Sequence, residues 1–306
     1  MACSQSSVPP VEMVLDCGDI VGESVVWDER VGALLWVDII GKRIHRFKPA
    51  QKTHDIWDAP DFVTGMGLRD DGGAIVGLMK EVCLWDFGDN WQSLATIEKD
   101  RPENRLNECG VAPDGAFWVG TMRNNFDAAG VPIATTEKTG AYYRIQSDGD
   151  VKRLTDNQYG ITNTMAWTDD GRFLTADTTA NQIYAFAYDR EQQTLAEPVP
   201  FAEPLERGLP DGSCLDAEGY LWNCRVVGGA CLARYAPDGR LDRIVELPCS
   251  WPTSCSFGGP DLRSLFITSA KFTMSPEHLQ KYPQEGSLWR VDVGVTGLPC
   301  HRFKVI

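Results

Sequence analysis

Apolar residues in this chain come in short runs rather than at helical spacing. "LLWVDI" from Leu34, "AIVGLM" from Ala74, "AFWVGT" from Ala116, "RFLTAD" from Arg172, "YLWNCR" from Tyr220 and "SLFITS" from Ser264 recur about 40 to 56 residues apart. That is the period of a four-stranded propeller blade with loops of variable length. Each run is followed by a second one: "RIHRFKP" from Arg43, "VCLWDFG" from Val82, "AYYRIQS" from Ala141, "QIYAFAY" from Gln182, "CLARYAP" from Cys231 and "SLWRVDV" from Ser287. These alternate well enough to be half buried between sheets. The pattern predicts an all-β six-bladed β-propeller with four-stranded antiparallel blades, as a single domain over residues 1–306. "VEMVLD", Val11 to Asp16, is strand-like and precedes the first complete unit. It is expected to pair with the last blade and close the ring. One short helix is expected over Ser275 to Tyr282, with Ser275 as cap and Pro276 at the first helical position.

In a propeller the opening strand of each blade runs along the central channel, so its polar residues carry the most information. Eight residues before the turn glycines Gly72, Gly115, Gly171 and Gly219 stand Thr64, Asn107, Asn163 and Asp211. Glu23 stands eight before Val31, in the same turn of the first unit. The last unit has an altered turn, "FGGPDLR", which places its equivalent somewhere from Thr253 to Cys255. Repeat symmetry puts these positions at one height around the axis, so Glu23, Asn107, Asn163 and Asp211 should converge at one channel mouth. Oxygen donors of which two are acidic suit a single divalent ion: calcium, magnesium, manganese, ferrous iron or zinc. The bland alternative is that short polar side chains cap strand ends or line a wet channel.

Composition narrows the partners. The chain has 306 residues and a formal net charge of −14, which repels phosphate backbones and anionic lipid. No nucleic-acid or membrane role is expected. Nothing in the sequence reads as a membrane span or signal peptide, so a cytoplasmic monomer or weak homo-oligomer is the expectation. The ten cysteines are scattered without CxxC spacing and read as reduced, with Cys109, Cys214 and Cys255 as small core residues.

The stretches "GESVVWD" around Glu23, "RLNECGVAPDGAFWVGTM" from Arg105, "ITNTMAW" around Asn163, "LPDGSCLDAEGYLW" around Asp211 and "FGGPDLRSLFITSA" in the last unit resemble the gluconolactonase and senescence marker protein 30 family. The resemblance covers nearly the whole chain. It implies a six-bladed propeller with a central metal-binding channel and activity on a sugar lactone. It also implies that Glu23, Asn163 and Asp211 bind the metal while Arg105 and Asn107 contact substrate. Two departures bear on substrate choice. Glu108 follows Asn107 where the family commonly has Asp, and Asn124 stands where some relatives carry an acidic residue that touches substrate.

Lactone hydrolysis needs a polarised carbonyl, an activated water and hydrogen bonds to ring hydroxyls. A divalent ion meets the first need, Asp211 is the expected general base, and Arg105, Asn107 and Asn124 are the expected substrate contacts. No GxSxG elbow is present, and the histidines lie outside the opening strands. Two other readings remain open at this point. One is a metal-dependent phosphotriesterase or arylesterase, and the other a metal-binding propeller without turnover. The long segment from Asn124 to Gly140 reads either as a lid over one channel mouth or as a plain surface insertion.

Overall fold

The computed structural model describes residues 10–305. Six antiparallel sheets surround a central channel. Their inner strands are Gly22–Asp28, Gly65–Arg69, Asn104–Val111, Thr162–Trp167, Leu209–Leu215 and Pro252–Gly258, in blades 1 to 6. From each inner strand the chain steps outward by hairpins, so every blade is a meander. Blade 6 is completed by the chain's first strand, Glu12–Leu15, which pairs antiparallel with Leu288–Asp292. The short helix is Pro276–Lys281, and the Ser275 side chain accepts from the His278 amide at 3.2 Å.

The core is a set of seams between blades. In the strand Ala33–Asp38 every residue is buried. Leu34 and Trp36 pack toward blade 6, whereas Ala33, Leu35 and Val37 pack toward blade 2. A strand covered on both faces reads as a near-continuous apolar run, because alternate side chains serve different seams. The remaining four seams are filled in the same way.

The C-terminal segment was not foreseen in the sequence. Arg302–Phe303 adds a parallel strand to the inner edge of blade 2, and Gly297 bridges to Asp216 of blade 5. Between these points Cys300 donates to the Trp27 carbonyl at 3.3 Å, and Arg302 pairs with Asp28 at 2.7 Å, both in blade 1. The segment therefore crosses the lower end of the channel. Among the described residues no helix is long and apolar enough to cross a membrane.

Asp216 ends the hairpin arm that carries Asp211. It is fully buried, and one of its oxygens accepts from the Trp222 indole at 2.9 Å and from Arg234 at 2.6 Å. Breaking a buried pair from one side strands the other charge. Asp216→Ala should lower stability by about 3 kcal/mol, read as a drop in the urea midpoint. A shift under about 0.5 kcal/mol, the ordinary size for a surface substitution, would show that Arg234 is satisfied by Glu218 and Asp242 alone.

Candidate functional site

Five of the six inner strands slip register at the same height. The slips lie between Glu23 and Val26, Leu106 and Cys109, Asn163 and Ala166, Pro210 and Ser213, and Pro252 and Cys255. A β-bulge leaves a residue unpaired and re-aims its side chain, which here turns polar groups out of the ladder and into the channel. Ser24 and Thr164, just after Glu23 and Asn163, hold φ of 54° and 59°. Non-glycine residues adopt that conformation only under strong constraint. The constraint is visible in hydrogen bonds between neighbouring blades. Ser24 Oγ accepts from the Met66 amide at 3.0 Å, and Thr164 Oγ1 donates to the Asp211 carbonyl at 2.5 Å. Gly212 is required by the same close approach, since a Cβ there would lie 2.8 Å from the Thr253 carbonyl oxygen.

Above the bulges lies a cavity of about 270 Å³ whose walls include Glu23, Arg105, Asn107, Asn163, Asp211 and Thr253. Asn107 joins several of these groups. Its Oδ1 accepts from Arg105 Nη1 at 2.7 Å, and its amide nitrogen donates to the Thr162 carbonyl at 2.7 Å and to Asn163 Oδ1 at 3.1 Å. The nitrogen of Asn163 donates to Thr178 Oγ1 at 2.8 Å, which leaves its oxygen on the side of Asn107. Asn223 reaches the Asp211 carbonyl at 3.0 Å and fixes that backbone from behind.

Arg105 is buried and its guanidinium packs over the Phe126 ring, with 4.9 Å to the centroid. Nη1 also donates to the Leu106 carbonyl and Nη2 to Asn125 Oδ1 at 3.0 Å, while Nε has no partner. Burial lowers the Arg105 pKa to about 10.

Carboxylates crowd this part of the channel. Burial pushes Glu23 well above the usual range, and the charges of Asp211 and Glu108 push it further. Asp211 is raised for the same reasons, burial first and then Glu108. Glu108 itself is raised by burial to about 7. It faces a second cavity of about 180 Å³ on the lower side, walled also by Cys109, Cys214, Cys255 and the C-terminal segment. Among the described residues no three His, Cys, Asp or Glu side chains form a ready-made metal site. The upper set offers two carboxylates and an amide oxygen instead, and an all-oxygen set with excess negative charge fits a hard divalent cation.

The upper cavity thus brings together Glu23, Arg105, Asn107, Asn163 and Asp211. Asn124 does not line it: its side chain is held by the backbone of Phe126, donating to the carbonyl at 2.6 Å. Its neighbour Asn125 lines the wall in its place. Thr64, at the same repeat register, is also turned away and donates to the Gly77 carbonyl at 3.2 Å. Glu108 is marked in the sequence as the residue after Asn107, where the family commonly has Asp. Phe126, Trp251 and Phe272 had no signal there, because their loops follow no repeat.

A family model described as SMP-30/Gluconolactonase/LRE-like region matches residues 21–271. Regucalcin of Oryctolagus cuniculus is 32% identical over 299 residues, covering 96% of this chain and 98% of the relative. The 6-deoxy-6-sulfogluconolactonase of Pseudomonas putida is 32% identical over 287 residues, covering 91% and 93%. A solved structure of a calcium-binding protein, regucalcin from Agrobacterium tumefaciens, superposes with a TM-score of 0.87 over 95% of this chain and 96% of that one. At 24% identity it bears on the fold alone.

The crowded carboxylates imply a pH dependence for the cation-free protein. A folded carboxyl group whose pKa is raised keeps a proton that the unfolded chain releases, so stability falls as pH rises through the interval between the two values. For Glu108 that interval runs from about 4.5 to about 7. Urea midpoints of chelator-treated protein should fall across it, and saturating calcium should flatten the slope. A midpoint that rises with pH there would show that the carboxylates are not in conflict.

Proposed function

The chain belongs to the SMP-30/gluconolactonase/LRE-like family, and from that premise we propose that it hydrolyses a sugar lactone to its aldonic acid on the polar floor of the upper cavity. It is accordingly a sugar lactonase, a carboxylic ester hydrolase. The observation that carries the reading is the convergence of Glu23, Asn163 and Asp211 with Arg105 on one cavity floor.

Glu23, Asn163 and Asp211 would hold a divalent cation, for which calcium is the first choice given oxygen donors only. When bound, such an ion polarises an ester carbonyl and acidifies a coordinated water. The protein's own groups do the rest. Arg105 lines the cavity wall with a buried Nε–H that has no partner, and it is the donor assigned here to a ring or hydroxyl oxygen of the substrate. Asn107 has both ends of its amide engaged, so it acts by orienting Arg105 and Asn163. Asn125 is held through its oxygen by Arg105, which leaves its amide hydrogens for a sugar hydroxyl.

Asp211 is the proposed base. Its backbone is clamped by Thr164 and Asn223, which fixes where the carboxylate points. A carboxylate oxygen takes a proton from water as the water oxygen bonds to the lactone carbon. When the tetrahedral intermediate collapses, the ring C–O bond breaks and the same proton passes to the departing alkoxide. Atoms and charge balance, with one water consumed and the ring opened.

Loss of the base and loss of a substrate contact should differ in kind. Asp211→Asn should lower kcat by about 10²-fold or more at saturating metal. Arg105→Ala should chiefly raise KM, more for polyhydroxylated lactones than for a bare ring. A pH-stat assay over a panel of aldonolactones, with and without chelator, reads both. Equal losses on decorated and bare lactones would remove Arg105 from sugar recognition, and full activity after metal stripping would remove the metal from the reaction.

A further inference from the structure

The upper cavity changes character with height. The inner strands supply its polar wall, whereas the loops beyond them, apart from Asn125, Thr178, Thr179 and Thr273, supply the apolar side chains of Ile39, Ile40, Phe126, Val227, Trp251 and Phe272. These come from blades 1, 3, 5 and 6, so the ring is assembled by the fold and follows no single sequence segment. A site shaped only for a polyol would need more donors and acceptors at this level than Asn125, Thr179 and Thr273 supply, because each sugar hydroxyl buried against hydrocarbon loses its hydrogen bonds to water. Charge is equally one-sided. Among the described residues Arg105 is the one cation in the cavity wall, and both of its Nη groups are engaged by Asn107, Leu106 and Asn125.

A second observation points to the same place. Val227 and Gly228 have consecutive left-handed φ of 57° and 76°, a backbone that favours Asn, Asp or Gly at its first position. The chain has a β-branched residue there instead, and Val227 is 50% exposed. Left-handed backbone is strained for valine, and an exposed valine gains little from burial in the free protein. Thr273, also in the cavity wall, holds φ of 62°, another β-branched residue in the same conformation. Strained β-branched residues at the rim of a cavity are retained where the surrounding structure and the ligand use them.

We infer that the cavity accepts lactones whose ring carries an apolar substituent, with the ester on the polar floor and the substituent against the collar of Ile39, Ile40, Phe126, Val227, Trp251 and Phe272. This rests on the lactonase reading for the chemistry, but the collar is a statement about binding and is tested separately. An anionic substituent, a sulfonate above all, would stand against a collar that among the described residues contains no Lys, Arg or His, and is disfavoured.

The test uses the calcium-loaded full chain and two matched series. One is a set of lactones of a single ring size with substituents from methyl to butyl, together with a sulfonated member. The other is the corresponding lactams, which resist hydrolysis. Both kcat/KM for the lactones and calorimetric affinity for the lactams should rise about two- to fourfold per methylene, full burial of each methylene setting the upper figure. The sulfonated compound should fall below the methyl one. Val227→Asn, which suits the left-handed backbone, and Phe272→Ser should each flatten the dependence on chain length, with thermal melts verifying the fold. Lactone hydrolysis with no dependence on chain length in rate or affinity overturns the collar and leaves the lactonase reading in place. Lactam affinity that climbs with chain length, in a protein that hydrolyses neither these lactones nor any aldonolactone of the panel above, supports the collar and overturns the lactonase reading.

Discussion

Negative charge buried in the channel is the constraint on which the site depends. Glu23 and Asp211 face each other from blades 1 and 5, with Glu108 close below them. Each would lose less by standing in water, and Arg105, the nearby cation, turns its Nη donors to neutral oxygens. Such an arrangement survives only because the fold imposes it. Six seams of apolar packing fix the blades, and the bulged inner strands then have no freedom to move the carboxylates apart. A bound cation would remove the conflict, which would link the stability of the channel to its proposed chemistry.

The bulges turn that constraint into a usable geometry. In a regular strand the side chain at each register position would point into a seam between blades. A slip in pairing turns it into the channel, and the unpaired backbone is recovered by hydroxyls reaching across to the next blade, as Thr164 does to Asp211. Ser24 and Thr164 carry the strain of the turn. The inner ring is therefore rigid by construction, which suits a site that must hold a water and an ester carbon in fixed relation.

The two ends of the channel are treated differently. The C-terminal segment ties blades 5, 1 and 2 across the lower end and walls off a cavity containing thiols and Glu108. Loops that follow no repeat shape the upper end, placing aromatic and aliphatic side chains above the polar floor. Repeat symmetry thus builds the chemistry, while departures from symmetry build access and selectivity.

Much of this was legible in the chain. Six recurrences of a strand signal determined the blade count, because each blade must supply apolar residues to two seams and so repeats one pattern. The spacing from turn glycine to inner strand likewise identified Glu23, Asn107, Asn163 and Asp211, since a hairpin converts a sequence interval directly into a height along the channel. That reasoning ends where side-chain direction depends on a neighbour. Thr64 shares the register yet bonds to Gly77, and Asn124 is drawn onto the Phe126 backbone while Asn125 faces the cavity. The C-terminal strand along blade 2 and the apolar collar were also invisible. Both arise from contacts between residues far apart in the chain, and no local period records which loop comes to rest beside which. Local pattern determined the blades and the height of the polar ring; only tertiary packing decided which members of that ring turn inward and what stands above them.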